Sequence, residues 1–231
     1  KLTHADGSVF KGNFDDGKYH GKGKLTHPDG IIIEGSFKDG KLYGKGKCIY
    51  RNGTIYEGAF ENGKQHGKGK RIYPNNGGVY EGNFKDGLCH GKGKRTYPNG
   101  SVFEGDYRYN VFNGEGIYSY SDGSNYEGVF EDGKPHGKYK LTHADGTTFE
   151  GNLKKGEFEK FKDSLCNGKG KLTTPDGEVY EGDYRDGEYH GKGKLTHSDG
   201  SIYEGEFKDG QYHGKGKLTS PNGSIYEGEF K

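Results

Sequence analysis

Aromatic residues recur along this chain at a fixed interval, each followed by Glu, Gly, a variable residue and a second aromatic. The first aromatic falls at Phe10, Tyr56, Tyr80, Phe103, Tyr126, Phe149, Tyr180, Tyr203 and Tyr226, with Ile33 in that place once. The underlying unit is 23 residues long and reads YEGxFxxGxxHGKGKLTxxDGSx. Self-similarity at such a period sets the architecture before any single residue is weighed: each unit is one supersecondary element that buries its apolar side on its neighbours. The alternation over the first five positions has the period of a strand, and no stretch carries a helical stripe. After it come dipeptides such as Asp16-Gly17, Asp39-Gly40, Asn62-Gly63, Asp86-Gly87 and Asp209-Gly210. These favour the two-residue turn with positive φ at both positions, so each unit is expected to be a β-hairpin.

A regular register follows. Phe207 is expected opposite Tyr212, Glu206 opposite His213, Gly205 opposite Gly214, Glu204 opposite Lys215 and Tyr203 opposite Gly216. Aromatic rings then share one face with glycines that leave room for them, as at Gly82, Gly91 and Gly93. The link between units, as in PDG or SDG, suits a three-residue turn with left-handed Gly and a bulge. It pairs Leu218 with Tyr226 and brings Leu25, Leu141, Leu195 and Leu218 onto the ring face. On the reverse face Glu204 is expected between Lys215 and Lys194. The fold class predicted is all-β: an elongated, single-layer, twisted antiparallel sheet. It forms one continuous array over 1–231 of about ten units, advancing about 10 Å per hairpin. An extra residue enters at Asn75-Asn76-Gly77-Gly78, and a spacing of 31 between Phe149 and Tyr180 places an eight-residue insertion near 157–164.

Composition narrows the picture. Hydrophobic residues make up 27% and glycines number 46, too little apolar matter for one large core, while 14% aromatics on a strict period argue against disorder. With 35 Lys and Arg against 34 Asp and Glu the net charge is +1, which gives no global attraction to nucleic acid or anionic membrane. Cys48, Cys89 and Cys166 are odd in number and fit no CxxC spacing, as expected of a reducing, cytoplasmic compartment. The sequence opens and closes in mid-unit and holds no Met, as a piece of a longer array would. Its last strand, 224–231, is expected to be an edge open to pairing with another chain.

The string YEGxFxxGxxHGKGK resembles the MORN repeat (membrane occupation and recognition nexus), over essentially all 231 residues. The match is clean at 180–193 and 203–216. It departs from the family pattern at Ile33, Tyr43, Asn113 and Tyr139, and Phe14, Phe37 and Phe60 stand where the family usually has Trp. The resemblance implies a non-enzymatic, cofactor-free scaffold. Repeat-only members of this kind organise cytoskeletal structures during division in apicomplexan and trypanosomatid parasites. It also raises an alternative, a peripheral membrane module that binds phosphoinositides.

Candidate chemistry is modest. His20, His66, His90, His136, His190 and His213 are placed about 10 Å apart on the charged face, too far to share a zinc within one chain. An interchain site recruiting Cys89, His90 or Cys166 is the weak metal candidate. A second ladder, His4, His27, Tyr50, Tyr73, Tyr97, Tyr120, His143 and His197, lines one edge of the ring face, as filler or as partner contact. The GKGK runs lack the spacing and the Ser or Thr of a phosphate-binding loop. No unit carries a unique acid, base or nucleophile, which argues against catalysis. Lys192, Lys194, Lys215 and Lys217 are the candidate lipid contacts, each with a glutamate beside it. Tyr180, Tyr184, Tyr189, Tyr203, Phe207, Tyr212, Tyr226 and Phe230 are the candidate groove for a protein partner or for a second copy in a homodimer.

Overall fold

Hairpins form where the Asp-Gly and Asn-Gly dipeptides predict them. Asp209 sits at φ +49° and Gly210 at +80°, and the same double positive φ recurs at Asp16-Gly17, Asp39-Gly40, Asn62-Gly63, Asp86-Gly87, Asp132-Gly133 and Asp186-Gly187. Tyr109-Asn110 makes the turn without glycine, and Asn110 Oδ1 accepts a hydrogen bond from the Cys89 backbone N–H at 2.8 Å. The computed structural model describes residues 1–74, 77–153 and 167–231; the insertion expected near 157–164, and Cys166, lie outside the described residues. The chain divides into two compact units, Lys1–Ser121 and Asp122–Lys231. Each is a meander of antiparallel strands, from Leu2–Thr3 to Val111–Ser119 in the first and from Asn125–Glu131 to Ile225–Phe230 in the second. The described regular elements are all strands, so the all-β hairpin array read from the sequence is borne out.

The inter-unit turns also take the expected form. His197 N–H bonds to Ser201 O at 2.8 Å and Gly200 N–H to His197 O at 2.9 Å, with Gly200 at φ +86°. Asp199 Oδ1 accepts the Ser201 N–H, an Asx turn that repeats at Asp6, Asn52, Asn99, Asp122 and Asp145. Several hairpin tips are tied back to the preceding hairpin: Gly210 N–H donates to Tyr189 O at 3.0 Å, and Gly40, Gly63, Gly87 and Asn110 N–H donate likewise to Tyr19, Leu42, Gln65 and Cys89 O.

The register within each hairpin needs one correction. Phe207 does face Tyr212 and Glu206 faces His213, but Gly205 then pairs with Gly216, Glu204 with Lys217 and Tyr203 with Leu218. Gly214 and Lys215 are looped out as a bulge. Gly214 adopts φ +60°, and Gly21, Gly44, Gly67, Gly91, Gly137 and Gly191 do the same. A left-handed glycine here shifts the pairing by two residues, an even number, so every side chain stays on the face the alternation assigned. Gly91 therefore does not lie beneath a ring with Gly82 and Gly93; a Cβ on it would meet Asn83 at 3.7 Å. Glu204 consequently lies between Lys217 and Lys194, not Lys215 and Lys194.

Pairing glycine with glycine creates the slot that holds leading rings such as Tyr203; beside Tyr126 the partner of Gly128 is Tyr139 instead. A Cβ on Gly205 or Gly216 would come within 2.4–2.7 Å of Tyr203 ring or hydroxyl atoms. The Tyr203 hydroxyl donates to Glu206 O at 2.9 Å, as Tyr56 does to Ala59 O, Tyr80 to Asn83 O and Tyr180 to Asp183 O. Tyr203 stacks on Tyr212 at 3.7 Å and stands edge-on to Phe207 and to Phe230 of the next hairpin, both at 5.0 Å. Offset stacks and edge-to-face contacts are favourable beyond their area. The repeat converts them into a ring ladder that joins hairpin to hairpin, with no second layer of secondary structure among the described residues.

Burial of these phenols has a titration consequence. Desolvation pushes the Tyr56 and Tyr189 hydroxyls up to about 12 and raises Tyr80, Tyr180 and Tyr203 as well. A folded-state value above the unfolded one near 10 means that stability is full below about pH 10 and is lost as pH climbs toward 12. Alkaline unfolding, followed together by tyrosinate absorbance and far-ultraviolet circular dichroism, is expected to begin above about pH 10 with both signals moving together. Tyrosinate forming well before the loss of strand signal would contradict this.

Candidate functional site

The ring face is where the predicted partner residues converge, and its rings are unequally available. Tyr180 and Tyr203 are 0% exposed and Tyr184 and Phe207 are nearly so, each covered by rings of its own array. Together with Phe149 and Leu195 they form one buried cluster, against which Tyr189, Tyr212 and Phe230 pack half-buried. Tyr226 is 55% exposed. The accessible part of the predicted groove is thus Tyr226 with the flanks of Tyr189, Tyr212 and Phe230, while the other four rings serve as core.

The His and Tyr ladder along the inter-unit turns closes one margin of this face. His197 Nε2 meets the Tyr212 hydroxyl and its Nδ1 lies 3.1 Å from Glu178 Oε2. His4 meets the Tyr19 hydroxyl in the same way, and Tyr50 accepts from Gln65 Nε2. Each such side chain therefore reaches into the following hairpin, a linking role that spacing alone did not show.

In the middle of the first unit the pattern changes. Where Leu25, Leu141, Leu172, Leu195 and Leu218 sit in other hairpins, the sequence has Arg71 and Arg95. Arg71 donates to Gly87 O at 2.7 Å, to Tyr73 Oη at 3.3 Å and to Gln65 Oε1, and its guanidinium lies 4.8 Å from the Phe84 ring centroid. Arg95 lies over Tyr73 at 4.7 Å and Tyr97 at 5.3 Å. The sequence reading passed over this pair; the signal available was the break in the leucine column.

The charged face is close to neutral in detail. Lys194 Nζ lies 2.7 Å from Glu204, Lys47 2.6 Å from Glu57 and Lys70 2.6 Å from Glu81. Glu204 is held below the usual carboxylate range, chiefly by its hydrogen bond to Lys194. Lys192 is cross-strand from Glu206, Lys215 from Glu229 and Lys217 from both Glu204 and Glu227. All four candidate lipid lysines thus have a glutamate neighbour on the same face. The ion pairs of Lys194, Lys47 and Lys70 are about half exposed, so each contributes roughly 0–1 kcal/mol.

Four histidines of this face stand beside acids of their own or the next hairpin, as His66 3.5 Å from Glu61 and His190 3.8 Å from Asp209, while His90 packs on the Tyr109 ring at 5.5 Å. Among the described residues no cluster of three metal-binding side chains forms. Cys89 is buried at 3% exposure, its thiol raised by that burial, and the adjacent His90 projects from the opposite face of its strand, so the two cannot meet at an interchain metal. Among the described residues no helix is long and apolar enough to cross a membrane.

The pattern of the MORN repeat matches nine segments, residues 10–32, 34–55, 56–78, 80–102, 103–125, 126–148, 160–179, 180–202 and 203–225. No curated protein matches the sequence. Among solved structures, the wild-type TCP10 domain of Danio rerio CPAP in complex with a peptide of Danio rerio STIL is similar, with a TM-score of 0.51 and 14% identity over 96% of this chain and 99% of that one. A second structure of the wild-type domain gives a TM-score of 0.51 and 13% identity over 99% of both chains. At such identity the likeness is one of fold.

Proposed function

The chain belongs to the MORN repeat family, and from that premise we propose that it is a non-catalytic scaffold that self-associates and binds protein partners along its ring face. The observation that carries this reading is a sheet whose hairpins offer the same chemical unit repeatedly, with no layer of secondary structure among the described residues stacked on it. Half-buried rings of the second unit, together with Tyr226, supply anchors of the kind that dominate interfaces. The peptide complex of the CPAP domain supports a protein ligand for a sheet of this type. Lysine–glutamate pairing on the other face weakens the phosphoinositide alternative, because paired charges draw little on an anionic surface. The narrower reading, organisation of a cytoskeletal structure in the cytoplasm during cell division, rests on the resemblance to repeat-only parasite scaffolds.

Sedimentation mass, affinity capture and vesicle flotation on the same purified chain separate the readings. A dimeric mass, together with capture of a protein that survives salt above roughly 0.15 M and is weakened by Tyr226→Ala, is expected. A monomeric mass at micromolar concentration removes the self-association. Selective flotation on phosphoinositide vesicles, abolished by Lys→Glu changes at Lys192, Lys194, Lys215 and Lys217, would put the membrane module first.

A further inference from the structure

Two guanidinium groups placed side by side among rings, without a carboxylate, call for a counter-ion. Arg71 and Arg95 both lie within 6.0 Å of the Tyr73 ring centroid. Among the described residues neither forms an ion pair; Arg71 is held only by neutral acceptors, and Arg95 Nε is buried without one. The surrounding columns keep the spot cationic. The Asx turns at Asn52 and Asn99 carry no charge, nor does the one at Asn222, whereas Asp6, Asp29, Asp145 and Asp199 do the same work elsewhere. Asn52 Oδ1 still accepts the Thr54 N–H at 3.0 Å and Asn99 Oδ1 the Ser101 N–H at 3.0 Å, so the turn is retained while its negative charge is dropped. Beside Arg71 lies an open depression of about 790 Å³ whose lining includes Tyr50, Arg51, Thr54, Gln65 and Tyr73, with no acid.

We propose that Arg71 and Arg95 form a receptor for an oxyanion, carboxylate or phosphate, carried on a side chain of the protein partner. This deepens the scaffold reading and rests on it. A guanidinium presents paired N–H donors matched to both oxyanions, and stacking on tyrosine holds its plane; an incoming oxyanion would exchange the neutral acceptors Gln65 Oε1 and Tyr73 Oη on Arg71 for a charge-assisted pair and give the unpartnered Arg95 Nε an acceptor. The arginines are partly sunk between rings, where one side chain enters more easily than a planar array of headgroups. Tyr50, Tyr73 and Tyr97 recur beside them once per hairpin, about 10 Å apart, a spacing that an extended peptide can follow.

The experiment is fluorescence anisotropy with labelled oligoglutamate, phosphoserine-containing and oligoglutamine peptides, and in parallel with phosphatidylserine vesicles. It compares the wild-type chain with Arg71→Leu/Arg95→Leu, which restores the residue found at this place in other hairpins, and with Lys68→Gln on the opposite face. Binding of an anionic peptide that falls at least tenfold in the arginine variant, is unchanged in Lys68→Gln and is absent for oligoglutamine is expected; the stronger of the two anionic peptides identifies the oxyanion. Equal binding to the arginine variant, no anionic peptide binding, or binding of vesicles alone each overturns the site. Should the double variant lose its strand signal, Arg71→Gln and Arg95→Gln singly carry the same comparison. Partner capture by the wild-type chain that the arginine variant leaves intact removes this site alone, whereas absence of any capture removes the scaffold reading itself.

Discussion

A Gly205→Ala chain is expected to lose about 3 kcal/mol of stability, at the upper end of the usual cost of overpacking. The added Cβ would stand 2.6 Å from the Tyr203 hydroxyl and 2.7 Å from Gly216 Cα. Neither neighbour can yield. The Tyr203 ring is pinned by its stack on Tyr212, its edge contacts with Phe207 and Phe230 and its bond to Glu206 O, while Gly216 is fixed by pairing on both sides. The comparison is Gly210→Ala at the hairpin tip, where nothing lies within 4 Å and only the left-handed φ of +80° is at stake. That change is expected to cost about 1 kcal/mol. Urea unfolding of the two variants gives the difference; equal losses would mean that the glycine pair does not act as the seat of the ring.

Tyr180→Ala is expected to cost about 3–5 kcal/mol, the range for emptying a buried aromatic site. It removes a fully buried ring that stacks on Tyr189 at 3.7 Å and touches Tyr184 and Phe207 edge-on at 5.0 Å. Tyr180→Phe keeps the ring and loses only the hydroxyl bond to Asp183 O, about 1 kcal/mol. Tyr226→Ala, at a ring already 55% exposed, is expected to change stability by less than either. Because stability in repeat arrays is a sum of unit and nearest-neighbour terms, the Tyr180→Ala loss should concentrate in amide exchange of strands Val179–Arg185 and Glu188–Thr196 and their neighbours. Uniform exchange across the second unit would contradict that locality. For partner binding, Ala at Tyr180 or Tyr203 would unseat core rings, so Tyr226 is the ring on which binding can be tested without that damage.

Much of the hairpin array was legible because its signals are local. Asp-Gly tips, PDG-type links and alternation each act within a few residues, and the face of every ring follows from parity alone. The register was misread because an internal left-handed glycine cannot be told from an ordinary strand glycine in the string GKGK. Gly214 slips the pairing by two, and the slip was invisible in the face assignment that it preserves. The candidate site was less legible. Whether Tyr180, Tyr184, Tyr203 and Phe207 stand open depends on rings from the same and adjacent hairpins, and the position of each ring depends on the corrected glycine pairing. Arg71 and Arg95 replace leucine at two positions of its column, and what a guanidinium does there depends on the rings and acceptors of adjacent hairpins.

By itself, then, the amino-acid sequence determined the period, the hairpin, the turns, the near-neutral charge and the separation of aromatic from charged faces, all of which depend on contacts within about one unit. Tertiary structure decided which glycines face each other, which rings are buried and which glutamate meets which lysine. It also decided that two arginines share one tyrosine without an acid. Those outcomes depend on stacking and cross-strand distances within and between neighbouring hairpins, and a shift of two residues changes the partners beyond the bulge while leaving the sequence pattern untouched.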